Sequence, residues 1–150
     1  MKRNRMEMEF TSCSENEAFA RIAVAAFVAQ LDPTLEELTD IKTVVSEAVT
    51  NAVIHAYGEC SEGMMVRVSV EIEDTQVAIT VTDRGVGIVD VEQARQPLYT
   101  SRPEWERAGM GFSIMEHFMD QVRVRSTPGQ GTVVHMIKKL QASRNVAVVN

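Results

Sequence analysis

The stretch Val44-Val-Ser-Glu-Ala-Val-Thr-Asn-Ala-Val-Ile-His55 decides the fold. Within it Glu47, Asn51 and His55 recur every fourth residue. Positions four apart drift slowly around a helix, so the three share one face. Two readings fit that face. One is a polar stripe on a half-buried helix. The other is a catalytic carboxylate beside an amide that holds a metal. Magnesium favours oxygen ligands, takes few of them from protein and fills the rest of its shell with phosphates and water. The Asn51 carbonyl supplies one such oxygen. Glu47, one turn earlier, then stands near a γ-phosphate and accepts a hydroxyl proton.

Outward from this helix the chain is punctuated by turn and cap residues. Asp32-Pro33 stops the preceding element, and either Asp32 or Thr34 caps the helix, which runs to about Tyr57. Upstream, Ser14 with Glu17 has capping-box spacing and predicts a helix to about Leu31. Before it, Met6, Met8 and Phe10 alternate with Arg5, Glu7 and Glu9, the period of a half-buried strand. Downstream, Gly58 to Gly63 reads as a polar loop. Val66, Val68, Val70 and Ile72, then Val77, Ile79 and Val81, alternate as two strands. Glu73 to Gln76 joins them by a hairpin turn other than the ideal two-residue kind.

A short helix is expected over 90–95. A long polar loop follows from Gln96 to Gly111, and loops of that length are functional or disordered. A helix from about Phe112 to Met119, a strand at Val122 and Val124, a turn at Pro128 to Gly131 and a last strand from Thr132 to Lys138 complete the order. The tail from Gln141 is expected to fray. Helices crowded to one face of a sheet predict an α+β fold, a two-layer α/β sandwich with a mixed β-sheet, and 1–150 forms a single domain.

Three further motifs flank this scaffold. Asp83-Arg84-Gly85-Val86-Gly87 follows a strand. Such a loop is either a plain glycine turn or a nucleotide pocket, in which Asp83 accepts from the adenine amine while Gly85 and Gly87 let backbone approach the ring. Gly109-Met110-Gly111-Phe112 precedes a helix, where exposed backbone N–H groups and the dipole favour an anion. Arg102 and Arg107 lie in the adjoining loop, within reach of phosphates or simply solvated. Gly129-Gln130-Gly131-Thr132 opens the last strand as a turn or as the edge of the same pocket.

The order of these four motifs resembles the gyrase/Hsp90/histidine-kinase/MutL (GHKL) ATPases over nearly the whole chain, with 96–109 where that family carries its ATP lid. Val44 to His55, Gln93 to Glu104 (Gln-Ala-Arg-Gln-Pro-Leu-Tyr-Thr-Ser-Arg-Pro-Glu) and Gly109 to Asp120 (Gly-Met-Gly-Phe-Ser-Ile-Met-Glu-His-Phe-Met-Asp) resemble more narrowly the anti-sigma serine kinases of endospore formers, their sporulation branch above all. The resemblance implies an ATP- and magnesium-dependent homodimer. Such a dimer holds a sporulation sigma factor of the sigma-F type inactive and phosphorylates a serine on an anti-anti-sigma protein. It makes Glu47 the general base, Asn51 the magnesium ligand, Asp83 the adenine reader and Arg107 the lid arginine near the terminal phosphate. Gly85, Gly87, Thr100, Ser101, Arg102, Gly109, Gly111 and Thr132 join the nucleotide contacts. Arg84 stands where an acidic residue is expected, which changes rim charge. Arg102 stands where lysine is expected, which changes phosphate geometry.

Other classes fit less well. The net charge of -6 lacks the basic footprint of non-specific nucleic-acid binding. The apolar share of 45% and charged share of 24% are those of a soluble domain able to bury a core. Ile22 to Val28 is too short an apolar run to span a bilayer, so a cytoplasmic protein is expected. Cys13 and Cys60 form no C-x-x-C, which argues against zinc or a disulfide framework and for a reducing compartment. P-loop and H-R-D or D-F-G signatures are missing. A histidine kinase needs a dimerisation domain for which the chain has no room. A non-catalytic ATP-gated clamp needs no base, which Glu47 opposes, and the general-stress anti-sigma kinases are the close sibling. The helix Ala18 to Leu31 is mostly apolar, with Arg21 as the charge in its middle. Exposed apolar surface there marks a dimer or partner contact anchored by Arg21, unless Arg21 only snorkels.

Overall fold

The computed structural model describes residues 3–57, 61–88, 90–95 and 111–141, with the backbone alone for 55–57, 61 and 62. Five strands, β1 (Arg3–Ser12), β2 (Ser61–Glu73), β3 (Gln76–Asp83), β4 (Gln121–Thr127) and β5 (Gly131–Lys139), form one sheet in the order β1-β2-β3-β5-β4. Helices α1 (Glu15–Val28), α2 (Leu35–Thr50) and α4 (Gly111–Phe118) stack on one another, and α3 (Val91–Ala94) is a single turn. The two-layer α+β reading holds, but the sheet is antiparallel rather than mixed. All four pairings are antiparallel. β1, β3 and β4 run one way and β2 and β5 the other, and β3 and β4 are kept apart because β5 folds back from β4 and inserts between them.

The alternation seen in the sequence is what builds the core. Val66, Val68, Val70 and Ile72 on β2, Val77, Ile79 and Val81 on β3, and Val134 and Met136 on β5 point to one face and are buried with Val24, Val28, Ile41, Val44, Val45 and Val49 of the helices. Each such side chain contributes roughly 1.5–3 kcal/mol when fully buried. The other face carries a charge ladder, with Arg67 on Glu9 at 3.1 Å and Arg3 on Glu71 at 3.4 Å.

Local signals were not all used where expected. The capping box forms at Thr34, whose hydroxyl accepts from the Glu37 N–H at 3.0 Å while the Glu37 carboxylate accepts from the Thr34 N–H at 2.8 Å. Asp32 instead turns the chain at φ 54. Ser14 sits in helical conformation and makes no side-chain cap bond; its would-be partner Glu17 is drawn to Ser46 and Arg21. The hairpin between β2 and β3 does close with two residues, because Asp74 takes the left-handed conformation at φ 54. β2 begins at Ser61, inside the expected loop. A bulge next to Ser12 absorbs the extra residues, and Gly63 takes φ 81 there. Cys13 is disulfide-bonded, against expectation. Ser12, one residue before it, lies opposite Ser61 across the β1–β2 pair, and the chain's other cysteine, Cys60, lies outside the described residues.

Candidate nucleotide site

Two rows of side chains cross the inner face of β4, β5 and β3 as apolar layers: Val122, Met136 and Ile79, then Val124, Val134 and Val81. The next row is polar: Ser126, Thr132 and Asp83. A sheet face that switches from aliphatic to hydroxyl and carboxylate at one end is built to hold something there, because buried polar groups require partners. Asp83 is 7% exposed and Thr132 is equally buried. Burial pushes the Asp83 carboxyl up from its ordinary range, while backbone hydrogen bonds from Gly85 and Thr132 pull it partly back. The Gly85 N–H donates to Asp83 Oδ1 at 2.9 Å. An under-solvated carboxylate of this kind suits a ligand that brings N–H donors, such as the amine edge of adenine.

The loop after β3 is locked to the β4–β5 turn. The Gly129 N–H donates to Val86 O at 2.7 Å, and the Ile88 N–H donates to Ser126 Oγ at 2.7 Å. Two glycines are required by this approach. A Cβ on Gly87 would stand 2.4 Å from the Thr127 carbonyl oxygen, and one on Gly131 would stand 2.2 Å from that of Asp83. Both have positive φ, at 77° and 118°. Gly87 and Gly131 therefore serve backbone-to-backbone packing. Ser126 was invisible in the sequence, where it is one polar residue in a strand of alternating arginines.

Glu47 and Asn51 lie on α2 and its continuation. The helix changes character at Asn51, whose N–H is shared between Ala48 O and Glu47 O, and Asn51–Tyr57 is π-helical. Wide turns of this type gather at functional sites. The four-residue spacing thus carries from Glu47 to Asn51, both half-buried, but not with the same rotation to His55. The π segment packs on β1, β2, β3 and β5, including the two strands that hold Asp83 and Thr132. Among the described residues no group of three His, Cys, Asp or Glu could hold a metal alone. Asn51 with Glu47 nearby suits magnesium, which draws most of its oxygens from phosphate and water.

Gly111 is the buried first residue of α4. Thr100, Ser101, Arg102, Arg107 and Gly109 lie outside the described residues. The segments on either side of 96–110 are joined by a residue the sequence reading passed over. Arg95 pairs with Glu116 of α4 at 2.5 Å and donates to Val122 O at 3.3 Å, and its own carbonyl accepts from Ser113 Oγ. Arg21 is paired with Glu17 at 3.5 Å, beside Phe19 and Ile22, which are 57% and 62% exposed. A cleft of about 280 Å³ is lined by Glu9, Met65, Arg67, Thr82 and Arg84, on the opposite sheet face, and also by Asp83. Among the described residues no helix is long and apolar enough to cross a membrane.

The profile of the histidine kinase-like ATPase domain matches residues 10–138. The chain is 57% identical over 142 residues to the anti-sigma F factor of Bacillus subtilis, covering 95% of this chain and 97% of that one. It is 60% identical to that of Geobacillus kaustophilus with the same coverages, and 58% identical to that of Clostridium novyi, covering 99% of it. Among solved structures it resembles the RsbU and RsbW domains of Rv1364c from Mycobacterium tuberculosis, with a TM-score of 0.62, 19% identity, and coverage of 91% of this chain and 32% of that one. It also resembles the catalytic domain of the histidine kinase ThkA, with a TM-score of 0.53, 19% identity, and coverage of 90% and 97%. At those identities the two structures speak for the fold alone. With the motif order, the polar row and near full-length relatives in agreement, the chain belongs to the anti-sigma F factors of the histidine kinase-like ATPase family.

Proposed function

We propose that this protein is an ATP-dependent protein serine kinase that also restrains a sigma factor of the sigma-F type in the cytoplasm, with an anti-anti-sigma protein as its phosphorylation substrate. The observation that carries the nucleotide part is the buried row of Asp83, Thr132 and Ser126 at the end of an otherwise apolar sheet face. Asp83 accepts the adenine amine, and Gly85 and Gly87 keep the loop low enough for the ring. Asn51 offers its side-chain oxygen to magnesium. Bound MgATP supplies the phosphoryl group. Glu47 takes the proton of the partner's serine hydroxyl as its oxygen bonds to phosphorus and the bond to ADP breaks. The resemblance assigns Thr100, Ser101, Arg102, Arg107 and the backbone at Gly109 and Gly111 to the phosphates; of these only Gly111 lies among the described residues. Phosphoryl transfer is mostly positioning and charge stabilisation, so the metal and arginines carry much of the effect.

The exposed pair Phe19 and Ile22 with Arg21 between them supports α1 as a docking face for the second protomer of a homodimer and for the protein partners. Arg21 is the polar anchor, held ready by Glu17.

The test uses purified protein, γ-labelled ATP, magnesium and a recombinant anti-anti-sigma protein, with Glu47→Ala in parallel. Transfer of label to a partner serine by wild type, and none by Glu47→Ala that still binds ATP, is the expected result. ATP bound by wild type with no transfer would leave a nucleotide-gated clamp. Equal ATP affinity in wild type and Asn51→Ala with magnesium present would remove Asn51 from the metal.

A further inference from the structure

The sheet face turned away from the helices is divided by charge. On β1 and β2 every arginine has a carboxylate: Arg3 meets Glu71 and Glu73, Arg5 meets Glu7, and Arg67 meets Glu9. The outward positions of β3, β5 and β4, from Gln76 to Thr82, Val133 to Lys139 and Gln121 to Thr127, hold no acidic residue. Arg123 stands opposite His135 and Arg125 opposite Val133, while the same two rows end on β1 in Glu7 and Glu9. Arg123 and Arg125 are exposed, and neither pairs with a carboxylate among the described residues. The neutral Gln121 amide lies 3.0 Å from the Arg123 guanidinium and steadies it without cancelling its charge. The Asp120 carboxylate is engaged at the far end of β5, by the Lys139 N–H at 2.6 Å. The imidazole of His135 feels the uncancelled charge: burial first, and then these two arginines, hold it below its ordinary range. Guarding an edge strand against aggregation calls for charge but not for one sign. β1, the other edge, carries both signs, whereas β4 carries arginine alone.

We propose that the outward face of β4 and β5 is a docking surface for an acidic segment of another protein. Between and beside the arginines the floor is small and neutral, with Val133, Ile137, Thr80 and Thr82 half-buried. An acidic peptide brings carboxylates for Arg123 and Arg125 and aliphatic side chains to cover Val133 and Ile137. A nucleic acid brings phosphates but no aliphatic surface, and it meets a chain whose net charge is -6. Opposite charge across an interface steers the encounter and fixes register. The Asp83 row points to the helix side of the same sheet, so this surface lies on the reverse of the nucleotide site.

The experiment measures, by fluorescence anisotropy at low salt, binding to the full chain of a labelled peptide that alternates glutamate with leucine. The same peptide with glutamine for glutamate is the control. Arg123→Gln/Arg125→Gln is compared with Arg3→Gln/Arg5→Gln, which takes the same charge from the same face but from arginines that already have carboxylates. The first should weaken the glutamate peptide about tenfold, and the second should stay within about twofold of wild type. Wild-type binding should also fall steeply as salt is raised. Backbone amide shifts of wild type with the peptide should concentrate on β4 and β5, a readout that needs no variant to fold. No binding, equal binding of the glutamine peptide, or equal loss in the two double variants overturns the proposal. So do shifts centred on α1 or β1. A short DNA duplex that binds tighter than the peptide would make this a phosphate surface, and a smaller sedimenting species in Arg123→Gln/Arg125→Gln than in wild type would make it an interface between copies; either result overturns the proposal as well.

Discussion

Replacing Gly131 by alanine tests the close approach that shapes the site. The new Cβ would lie 2.2 Å from the Asp83 carbonyl oxygen and 2.6 Å from Arg84 Cα, and both neighbours are backbone. No side chain can swing away, so the β3 end and the β4–β5 turn must part by about 0.8 Å to bring the shorter contact to 3.0 Å. Overpacking of this kind costs about 1–3 kcal/mol. A φ of 118° suits only glycine, and holding alanine there adds about 1–3 kcal/mol. Taken together, a loss of about 3–4 kcal/mol lowers Tm by roughly 6–15 °C for a chain of this size. Gly129→Ala is the internal control. Its φ is 81°, but nothing lies within 4 Å of its Cβ, so it pays only the conformational term, about 1–2 kcal/mol. Thermal unfolding followed by circular dichroism, with and without MgATP, reads both effects. Because Gly131 adjoins Thr132, its variant should also lose the nucleotide-induced rise in Tm, while Gly129→Ala keeps it. If Gly131→Ala melted within 2 °C of Gly129→Ala, roughly the effect of half a kcal/mol, the contact with Asp83 would not be the constraint described.

Three other outcomes are expected. Glu37 caps α2 with one oxygen and accepts from the Gln141 N–H at 2.9 Å with the other, so Glu37→Ala should cost about 2 kcal/mol, read as a lower urea midpoint with unchanged m-value. His135 is held below the usual imidazole range by burial, then by Arg123 and Arg125. Between its folded value and 6.5 the unfolded chain binds the extra proton, so stability is complete above pH 6.5 and is lost as pH falls through the folded value. His135→Gln should flatten the fall of Tm between pH 7 and 5, and an identical slope in both proteins would remove His135 as its source. Arg95 joins the segments on either side of 96–110 through Glu116. Arg95→Met should lower kcat for phosphoryl transfer severalfold with little change in Tm, since a pair this exposed is worth no more than about 1 kcal/mol. The exchange Arg95→Glu with Glu116→Arg should recover part of the rate.

Much of the scaffold was legible because its causes are local. Alternation of apolar and polar residues needs no partner to be seen, and it placed β1, β2 and β3 within a few residues. Thr34 and Glu37 form their capping box from residues three apart, so α2 could be started correctly, though Ser14 and Glu17 have the same spacing and do not form one. The spacing decides what is possible locally, and the neighbours decide what is used: Ser46 of α2 and Arg21 of α1 offer Glu17 better partners. The order of the motifs also named the family, since the residues that hold a nucleotide are constrained one by one by the ligand.

Tertiary structure decided everything that depends on register between distant segments. Ser126 joins the polar row at the end of the sheet only because β5 inserts between β3 and β4 in a register that lines it up with Thr132 and Asp83. A shift of one residue would have turned it to the opposite face. That insertion also makes the sheet antiparallel. The link of Arg95 to Glu116, the disulfide state of Cys13 and the π-helical turn at Asn51 depend in the same way on packing across the chain. A sequence displays periods and spacings along one dimension; which rows meet is set by long-range pairing, and there the chemistry of this site is assembled.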